Sequence, residues 1–326
     1  MTASIPTAPA DFAKSVSAVY RVLLGREPEE AGLAYHIGLL KQSHDLMDVV
    51  GTLTRSPEFA ARMSALISDP ARGPAPAPAD LAEPITIVDI GAQRLSDESH
   101  AYAPLEAAGY RTRVIGFEPL AERLQDRKTA EADEALEMLP YFIGDGSRRT
   151  FYINNYDATS SLLPLNERLT SQFVELAYLD TVRTEDASTR KLDDVLPAHQ
   201  RIDFLKLDIQ GFELEALKGA EAALARTLVV HCEASFAEIY KGQCFFSDVE
   251  IFLRARGFAF IDIVHAHRAG YVVPSGTVRG DRLLWADAVF FKEPEGLTPS
   301  ERAVQAVIAQ FVYGKHALAE KLNAFT

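Results

Sequence analysis

The sequence is poor in cysteine, in basic residues relative to acidic ones, and in long apolar runs. Two cysteines, Cys232 and Cys244, occur in 326 residues, too few for a disulfide framework or a thiolate metal site. Lys and Arg number 33 against 46 Asp and Glu, which gives a formal net charge of −13. This surplus repels a phosphate backbone, so we do not expect nucleic acid as a partner.

Two further absences bear on location. No stretch approaches the roughly 20 consecutive apolar residues that a membrane-spanning helix needs, so no membrane span is expected. Residues 1–16, MTASIPTAPADFAKSV, lack the basic start and the apolar core of a signal peptide. The sequence therefore predicts a cytoplasmic protein.

A stretch rich in proline and alanine, residues 69–84 (DPARGPAPAPADLAEP), separates two different patterns. It has no apolar period, and such a composition is typical of a semi-rigid spacer. Before it, apolar residues recur at helical spacing, for example Val16, Tyr20 and Leu23. Residues 1–68 are therefore predicted to form a small all-helical module.

After the spacer, short apolar strands alternate with helices. The predicted strands are 85–90, 113–117, 138–143, 203–209, 227–233, 258–263 and 283–291. The predicted helices are 99–108, 119–128, 212–223, 247–256 and 299–325. This alternation predicts an α/β fold over residues 85–292, with a mostly parallel seven-stranded sheet covered by helices on both faces. The C-terminal extension, residues 293–326, either covers the sheet or mediates contacts in a homodimer, and the sequence leaves both open.

Acidic residues stand at the ends of four predicted strands: Asp89, Glu118, Asp208 and Glu233. A carboxylate at the tip of a buried strand costs desolvation unless a partner satisfies it. The carboxyl ends of parallel strands meet at one edge of the sheet, where such folds bind ligands. The pattern therefore predicts a carboxylate-lined crevice for a ligand rich in hydroxyls and amines.

The first turn after the first strand carries a single glycine. Gly91 is followed by Ala92, Gln93, Arg94 and Leu95, so the several glycines that cradle a pyrophosphate are missing. S-adenosylmethionine, which has a ribose diol, a sulfonium and an ammonium but no phosphate, fits this acidic edge better than anionic NAD does. Gly91 and Ala92 are predicted to border this cofactor.

Two other acids are assigned to the nucleoside part of the same ligand. Glu118 follows Gly91 by somewhat more than the roughly 20 residues that usually separate the glycine turn from the acid on the ribose diol. Asp145, before Gly146, either meets an adenine amine or forms a plain turn, and the two interpretations are equally supported.

The candidates for catalysis lie in the stretches DFLKLDI and HCE. Asp208 is the first candidate for contact with the donor or the acceptor hydroxyl, and His231 and Glu233 are further candidates for a general base. Lys206 points to the same side as Asp208, since residues two apart in a strand share a face. That pair either forms a structural ion pair or orients the acceptor.

The turn after this strand supplies the remaining candidates. Gln210 and Gly211 are predicted to border the cofactor, because a glycine turns the chain without a side chain in the pocket. Glu213, in the first helical turn, either interacts with the helix dipole or faces the substrate. Tyr240 is predicted to line the acceptor pocket.

At these residues the sequence resembles the FkbM family of S-adenosylmethionine-dependent methyltransferases. The resemblance runs over residues 85–292, and its most specific part is DFLKLDIQGFELEALKGA. The matching segments are VDIGA (88–92), GFEP (116–119), DG (145–146), SSLLP (160–164), LDDV (192–195), DFLKLDIQGFELEALKGA (203–220), HCEASFAEIYKGQCFF (231–246), FLRARGF (252–258) and LLWADAVFF (283–291).

The resemblance implies a Rossmann-like methyltransferase domain that methylates a hydroxyl of a sugar, a glycan or a secondary metabolite. The loop Gln93-Arg94-Leu95 departs from the family pattern, which puts cofactor binding in question. Residues 19–40, VYRVLLGREPEEAGLAYHIGLL, are similar to a helical domain of unknown function found in bacterial multidomain and surface-associated proteins. Recruitment of a protein partner is the hypothesis for this module.

Three alternatives stay open. The domain could have lost its cofactor and serve as a scaffold, or it could be an NAD-dependent sugar-modifying enzyme, which the single glycine disfavours. A magnesium-assisted mechanism would use Asp208 and Glu233, but no third ligand is evident, so Mg²⁺ is not expected.

Overall fold

A computed structural model describes residues 9–43, 46–54, 56, 58–59, 75–93, 99–130, 135–274, 276 and 280–325. The chain divides into two compact units, residues 1–73 and 74–326. Among the described helices, none combines the length and the apolar character needed to cross a membrane.

The first unit is helical, as the sequence predicts. It contains α1 (Pro9–Leu24), α2 (Glu30–Ser43) and α3 (Leu46–Thr54). Their apolar faces form one core, because residues three and four apart lie on the same side of a helix. The buried members of this core are Phe12, Val16, Tyr20, Leu24, Leu40, Val49 and Leu53.

The second unit is built on a sheet that has seven strands within the described residues, in the order β3-β2-β1-β7-β8-β10-β9. Its strands are β1 (Ile85–Ile90), β2 (Thr112–Phe117), β3 (Leu136–Leu139), β7 (Ile202–Leu207), β8 (Thr227–Ser235), β9 (Phe258–Ala269) and β10 (Arg282–Lys292). The pairs from β3 to β8 are parallel, whereas β10 runs antiparallel to both β8 and β9. This arrangement confirms the mostly parallel seven-stranded sheet.

Helices cover both faces of this sheet. The second unit contains α4 (Ala103–Ala107), α5 (Ala121–Ala130), α6 (Glu167–Thr170), α7 (Leu192–Val195), α8 (Glu213–Lys218), α9 (Glu221–Ala225), α10 (Phe246–Arg254), α11 (Pro299–Val307) and α12 (His316–Asn323). One face packs against α8, α9 and α10, and the other packs against α4, α11 and α12. The sheet is therefore the middle of three layers. The helices on its faces leave the carboxyl edge of the parallel strands open.

The predicted strand 138–143 is wrong, because the chain breaks at Pro140. β3 ends at Leu139, immediately before the proline. Phe142–Ile143 form β4, which belongs to a second sheet of order β4-β6-β5. Proline cannot donate to a strand ladder, so it interrupts the run. The other strands, β5 (Arg148–Asn154) and β6 (Thr181–Arg190), were not predicted, since β6 is largely exposed and carries many polar residues.

The C-terminal extension is not one continuous helix. α11 begins at a capping box in which Thr298 and Glu301 bond each other's backbone N–H groups. A π-helical turn, Ile308–Val312, follows, and Gly314 separates it from α12. Of the two functions left open for this extension, the structure shows that it covers a face of the sheet.

Part of the predicted spacer packs onto the second unit. The Ala75 N–H donates to Gln310 Oε1 at 3.1 Å, and the Tyr110 hydroxyl donates to the Pro76 carbonyl at 2.6 Å. Arg111 donates to the Leu81 and Ala82 carbonyls. Residues 75–84 are thus tied to the second unit, whereas residues 69–74 lie outside the described residues.

Candidate functional site

A cavity of about 1000 Å³ opens at the carboxyl edge of the parallel strands. This volume is at the upper end of the range of about 300–1,000 Å³ for small-molecule sites. Its floor is formed by the ends of β1, β2, β7 and β8, and its walls include parts of β9 and β10, residues 141–143 and the segment 156–162. Predicted residues that line it are Gly91, Glu118, Lys206, Asp208, Gln210, His231, Glu233 and Tyr240.

The turn after β1 has room for glycine alone. Gly91 has φ +80°, and a Cβ there would lie 1.9 Å from the carbonyl oxygen of Asp208. The Asp208 N–H in turn donates to the Ile90 carbonyl at 3.0 Å. The ends of β1 and β7 are therefore in direct backbone contact, and the cavity floor between them carries no side chain at Gly91.

Glu118 is buried at the end of β2 and lines the cavity. One carboxylate oxygen accepts the Leu120 N–H at 2.8 Å, which fixes the side chain at the start of the loop before α5. Burial raises the pKa of Glu118 to about 7, although that hydrogen bond and Arg123 act in the opposite direction. A carboxylate in this position can accept hydrogen bonds from a ribose diol.

Asp89 does not line the cavity but lies beneath it. The carboxylate is fully buried and accepts from Arg127 at 2.9 Å and from the Tyr102 hydroxyl at 3.0 Å, while Lys206 Nζ lies 3.5 Å away. Burial alone would raise the pKa of Asp89, but Lys206 and Arg127 outweigh it and hold the pKa below its usual value. The predicted direct contact of Asp89 with a cofactor is therefore not what the geometry shows, and the residue instead anchors Lys206.

Lys206 joins this buried acid to the cavity. Its Nζ lies 3.5 Å from Asp89 and 3.5 Å from Asp208 Oδ2. Burial would lower the pKa of Lys206, but the two carboxylates raise it above its usual value, so the ammonium stays charged. The shared face predicted for Lys206 and Asp208 is confirmed by this ion pair.

Gln210 holds the acids at the end of β7 and β8. Its φ is +57°, and its amide nitrogen lies 2.9 Å from Asp208 Oδ1 and 3.5 Å from Glu233 Oε2. The Tyr240 hydroxyl lies 2.9 Å from Gln210 Oε1, and the Ser161 hydroxyl donates to the Gln210 carbonyl at 2.7 Å. A residue in this strained conformation, held from three sides, positions the carboxylates on the cavity wall.

Glu213 and Gly211 hold the turn from the other side. Glu213 Oε1 accepts the N–H groups of Ile209 at 2.9 Å and of Gly211 at 3.1 Å. Neither Glu213 nor Gly211 lines the cavity. Glu213 Oε1 is therefore occupied by the backbone of the turn, and the ligand contacts predicted for Glu213 and Gly211 stay predictions.

Two other predicted cofactor contacts also lie off the cavity. The Ala92 carbonyl accepts from Arg127 at 2.7 Å, and the methyl group is buried. Asp145 bonds Ser147 and pairs with Arg149 at 2.6 Å, which together with the backbone lower its pKa to about 2 even though burial acts the other way. Of the two interpretations of Asp145, the geometry favours the plain turn.

Glu233 and His231 stand on neighbouring positions of one face of β8. Burial, followed by repulsion from Asp208 and Glu213, raises the pKa of Glu233 well above its usual value. His231 is buried, with Nδ1 3.1 Å from the Tyr313 hydroxyl and Nε2 3.3 Å from Asp287 Oδ2. Both residues line the cavity.

Sequence reasoning missed one side of the cavity. Asp287, Trp285, His265 and His267 line it from β9 and β10, and the His267 and Trp285 rings stack at 3.8 Å. The available signal was Asp287 itself, an acid inside the apolar run LLWADAVFF. His265 and His267 gave no signal, because they lie beyond the predicted end of their strand.

The residues of the cavity fit S-adenosylmethionine better than they fit a metal ion. Within the described part of the chain, no three His, Cys, Asp or Glu side chains are placed to hold a metal ion. For S-adenosylmethionine, the side-chain-free floor at Gly91, the buried acid Glu118 and the carboxylates Asp208 and Glu233 fit a diol and a cation. Arg94 and Leu95 of the altered loop lie outside the described residues, whereas Gln93 lines the cavity.

Comparison with known proteins gives one family match. Residues 89–260 match the model of the methyltransferase FkbM domain. No curated protein is significantly similar in sequence to the chain.

Several solved methyltransferase structures are similar to the chain at low identity. Precorrin-6y C5,15-methyltransferase of Geobacter metallireducens is 13% identical, with a TM-score of 0.33 over 65% of this chain and 84% of that one. Magnesium protoporphyrin IX methyltransferase of Synechocystis, solved with bound SAM, is 9% identical, with a TM-score of 0.32 over 88% and 100%. The 1,6-didemethyltoxoflavin N1-methyltransferase of Burkholderia thailandensis is 14% identical, with a TM-score of 0.30 over 88% and 92%.

Proposed function

The chain belongs to the FkbM methyltransferase family, and on that premise we propose that it transfers a methyl group from S-adenosylmethionine to a hydroxyl oxygen of a sugar, a glycan or a secondary metabolite. The observation that carries this proposal is that Gly91, Glu118, Asp208 and Glu233 meet in one cavity of about 1000 Å³. That cavity has room for a nucleoside and for part of an acceptor.

The residues of the cavity divide between the two ligands. Gly91 and Glu118 lie at the β1 and β2 end, which suits the adenosine part of the donor. Asp208 and Glu233 lie nearer β8 and β10, beside Tyr240, and suit the cationic part of the donor and the acceptor hydroxyls. When bound, S-adenosylmethionine supplies an electrophilic methyl carbon.

The protein contributes orientation and charge. Transfer between a donor and an acceptor gains most from holding the two in line, which fixed side chains do without reorganisation. Lys206 and Gln210 fix Asp208 from both sides, at 3.5 Å and 2.9 Å. A cation near Glu233 favours its ionised form, so donor binding is expected to draw its raised pKa downward.

Calorimetry with S-adenosylhomocysteine tests the cofactor assignment. When the full chain is titrated with S-adenosylhomocysteine, we expect a saturable heat of binding. Titration with NAD should give no heat of binding. Absence of binding at millimolar concentration would favour the scaffold alternative, and binding of NAD instead would favour the dehydrogenase.

Product analysis tests the reaction. The full chain is incubated with S-adenosylmethionine carrying a ¹³C methyl group and with methyl glycosides of hexoses, 6-deoxyhexoses and amino sugars. An O-methyl signal in the carbon spectrum supports the proposal, whereas a methyl group on nitrogen or carbon contradicts it.

Asp208→Asn separates binding from transfer. The amide keeps the size of the side chain but loses the charge that pairs with Lys206. We expect the variant to fold and to lose methyl transfer by about 10²-fold or more. Unchanged turnover would remove Asp208 from the mechanism.

The role predicted for residues 1–68, recruitment of a protein partner, stays a prediction.

A further inference from the structure

An aspartate of β10 lies opposite Glu233. Asp287 of β10 is the register partner of Glu233 of β8, and both line the cavity. The Asp287 side chain is 25% exposed, and the residue lines the cavity. It is held by His231 at 3.3 Å and by His265 at 3.1 Å, and both contacts fall on Oδ2. Among the described residues, none hydrogen-bonds Oδ1.

The two contacts of His231 define its state. The Tyr313 hydroxyl lies 3.1 Å from Nδ1, and Asp287 Oδ2 lies 3.3 Å from Nε2. An ionised carboxylate only accepts hydrogen bonds, so the contact with Asp287 requires the hydrogen of His231 on Nε2. In the tautomer with one hydrogen, Nδ1 is then the acceptor of the Tyr313 hydroxyl. Both nitrogens are therefore engaged within the protein, and His231 orients Asp287 rather than contacting the acceptor.

Tyr313 comes from the C-terminal extension. It directly follows the π-helical turn Ile308–Val312, and its ring stacks near His231 and Phe204. π-helical turns inside helices are frequent at functional sites. Burial, with a further contribution from Asp287, raises the pKa of Tyr313 well above its usual value, so the hydroxyl keeps its proton and can donate. The C-terminal extension thus contacts His231 through the Tyr313 hydroxyl, and His231 in turn contacts Asp287.

The two acids of the register pair differ in protonation. Burial would raise the pKa of Asp287, but the hydrogen bonds of His231 and His265 and the charge of Lys206 hold it below its usual value. Burial and its acidic neighbours, Asp287 among them, raise the pKa of Glu233. The charged or titratable groups that face Asp287 are Glu233 and His231 from β8, His265 from β9, Lys206 from β7 and Tyr313 from the extension. Neighbouring acids with pKa values pushed apart are a common basis for assigning proton acceptor and donor.

We propose that Asp287 is the catalytic residue that takes the proton of the acceptor hydroxyl, and that His231 and Tyr313 are positioning residues that hold it. This inference rests on the proposed methyl transfer to oxygen. In that step the acceptor oxygen forms the new bond to the methyl carbon while the carbon–sulfur bond of the donor breaks. The sulfur keeps the electron pair and leaves as a neutral thioether, and the hydroxyl proton passes to Asp287 Oδ1.

A weak base is sufficient for this role. As the oxygen binds the methyl carbon it gains positive charge, and its proton becomes far more acidic than that of a free hydroxyl. A carboxylate with a low pKa can take such a proton late in the reaction, provided that it is already deprotonated and in place.

Asp287→Asn tests the catalytic assignment. We expect kcat to fall by about 10²- to 10⁴-fold while the Kd for S-adenosylhomocysteine changes less than about twofold. Asp262→Asn is the matched control, since Asp262 lies on β9, pairs with Lys315 and does not line the cavity. Its activity should equal that of the unmodified chain.

Tyr313→Phe and His231→Phe test the positioning roles through the pH profile of kcat. Loss of the His231 hydrogen bond raises the pKa of Asp287, so the acid limb of the profile should move to higher pH while KM for S-adenosylmethionine stays unchanged. Tyr313→Phe should shift the limb in the same direction by a smaller amount. A fall in kcat with an unmoved acid limb would mean a merely structural role and would overturn this part of the proposal.

The tautomer of His231 gives a readout that needs no acceptor. Nitrogen NMR of the full chain with ¹⁵N-labelled histidine should show hydrogen on Nε2 at neutral pH, and Tyr313→Phe should abolish this fixed state. Hydrogen on Nδ1 would refute the chain of contacts.

The two hypotheses fail in different ways. If the unmodified chain methylates nitrogen, methylates carbon or makes no product, the proposed function falls and the inference falls with it. If the unmodified chain makes an O-methyl product and Asp287→Asn makes it at the same rate, the assignment of Asp287 alone falls.

Discussion

Burial decides the ionisation of the acid at the nucleoside end of the cavity. Glu118 has a pKa of about 7 because desolvation outweighs its hydrogen bond to the Leu120 N–H. Below this pH the folded protein without ligand holds a proton on Glu118, and above it the carboxylate is free to accept both hydroxyls of a ribose. Donor binding is thus linked to the loss of a proton.

We therefore expect the affinity for S-adenosylhomocysteine to rise with pH. The Kd should fall by up to about tenfold per pH unit on the acid side of pH 7 and become constant above it. Calorimetric titration over this range measures the effect. Glu118→Gln should bind more weakly and with a flat pH dependence, and a slope that survives in this variant would assign the linkage to another group.

The buried pair Asp89–Arg127 concerns stability rather than chemistry. Both side chains are fully buried, 2.9 Å apart, and Tyr102 and Lys206 complete the surroundings of the carboxylate. Removing one partner of such a pair leaves a charge without compensation in a medium of low polarity. The pair therefore stabilises the floor of the cavity only as long as it is intact.

Arg127→Met is expected to lower the free energy of unfolding by about 3–5 kcal/mol. Urea denaturation followed by the fluorescence of Trp285, the only tryptophan of the sequence, measures this in the second unit. Arg123→Met is the control, because Arg123 pairs with the partly exposed acids Asp126 and Asp157 and should cost less than about 1 kcal/mol. Equal losses in the two variants would contradict the assignment.

At the scale of elements, the contact between the turn after β1 and the end of β7 sets the width of the cavity floor. The Asp208 carbonyl approaches Gly91 so closely that no side chain fits between them. The two strands share a register from Ile87 to Ile90 and separate only beyond it. A change at this point displaces Asp208 directly.

Two glycines with nearly the same φ allow the effect of this contact to be measured. Gly91 and Gly242 have φ of +80° and +79°, but a Cβ at Gly242 would meet nothing within 4 Å. Gly242→Ala should cost only the about 1–2 kcal/mol of a left-handed conformation. Gly91→Ala should cost about 3 kcal/mol or more and should abolish binding of S-adenosylhomocysteine in calorimetry. Similar behaviour of the two variants would show that backbone conformation, and not the contact with β7, is what matters.

At the scale of the whole molecule, the two units have separate cores. The apolar cluster of the first unit is drawn from residues 12–59, and the clusters of the second unit are drawn from residue 75 onward. Every residue of the candidate site lies in the second unit. Each unit can therefore bury its own apolar surface.

We expect a chain shortened to residues 74–326 to keep the site intact. Its Kd for S-adenosylhomocysteine and its urea midpoint by Trp285 fluorescence should match those of the full chain, because the shortened chain retains the clusters that build the sheet. A weaker Kd or a lower midpoint would show that the helical module contributes to the second unit.

The sequence by itself determined the elements of the sheet and the acids at their ends. Apolar runs bounded by Gly91 and Gly211 mark β1 and β7 by their composition, and alternation of strands with helices implies a parallel sheet with one functional edge. These are local properties, which neighbouring residues along the chain express without tertiary contacts. The polar second sheet could not be predicted because β6 is largely exposed and lacks the apolar pattern of a buried strand.

Only the tertiary structure decided which polar residues reach the cavity. Asp89 and Glu233 look alike in sequence, because each stands near the end of an apolar strand. Asp89 is buried and pairs with Arg127 of a distant helix, whereas Glu233 lines the cavity. Asp287 and Tyr313 enter the site through antiparallel pairing and through the covering extension. Partners far apart in the chain decide whether a side chain is neutralised or available, and no local pattern records those partners.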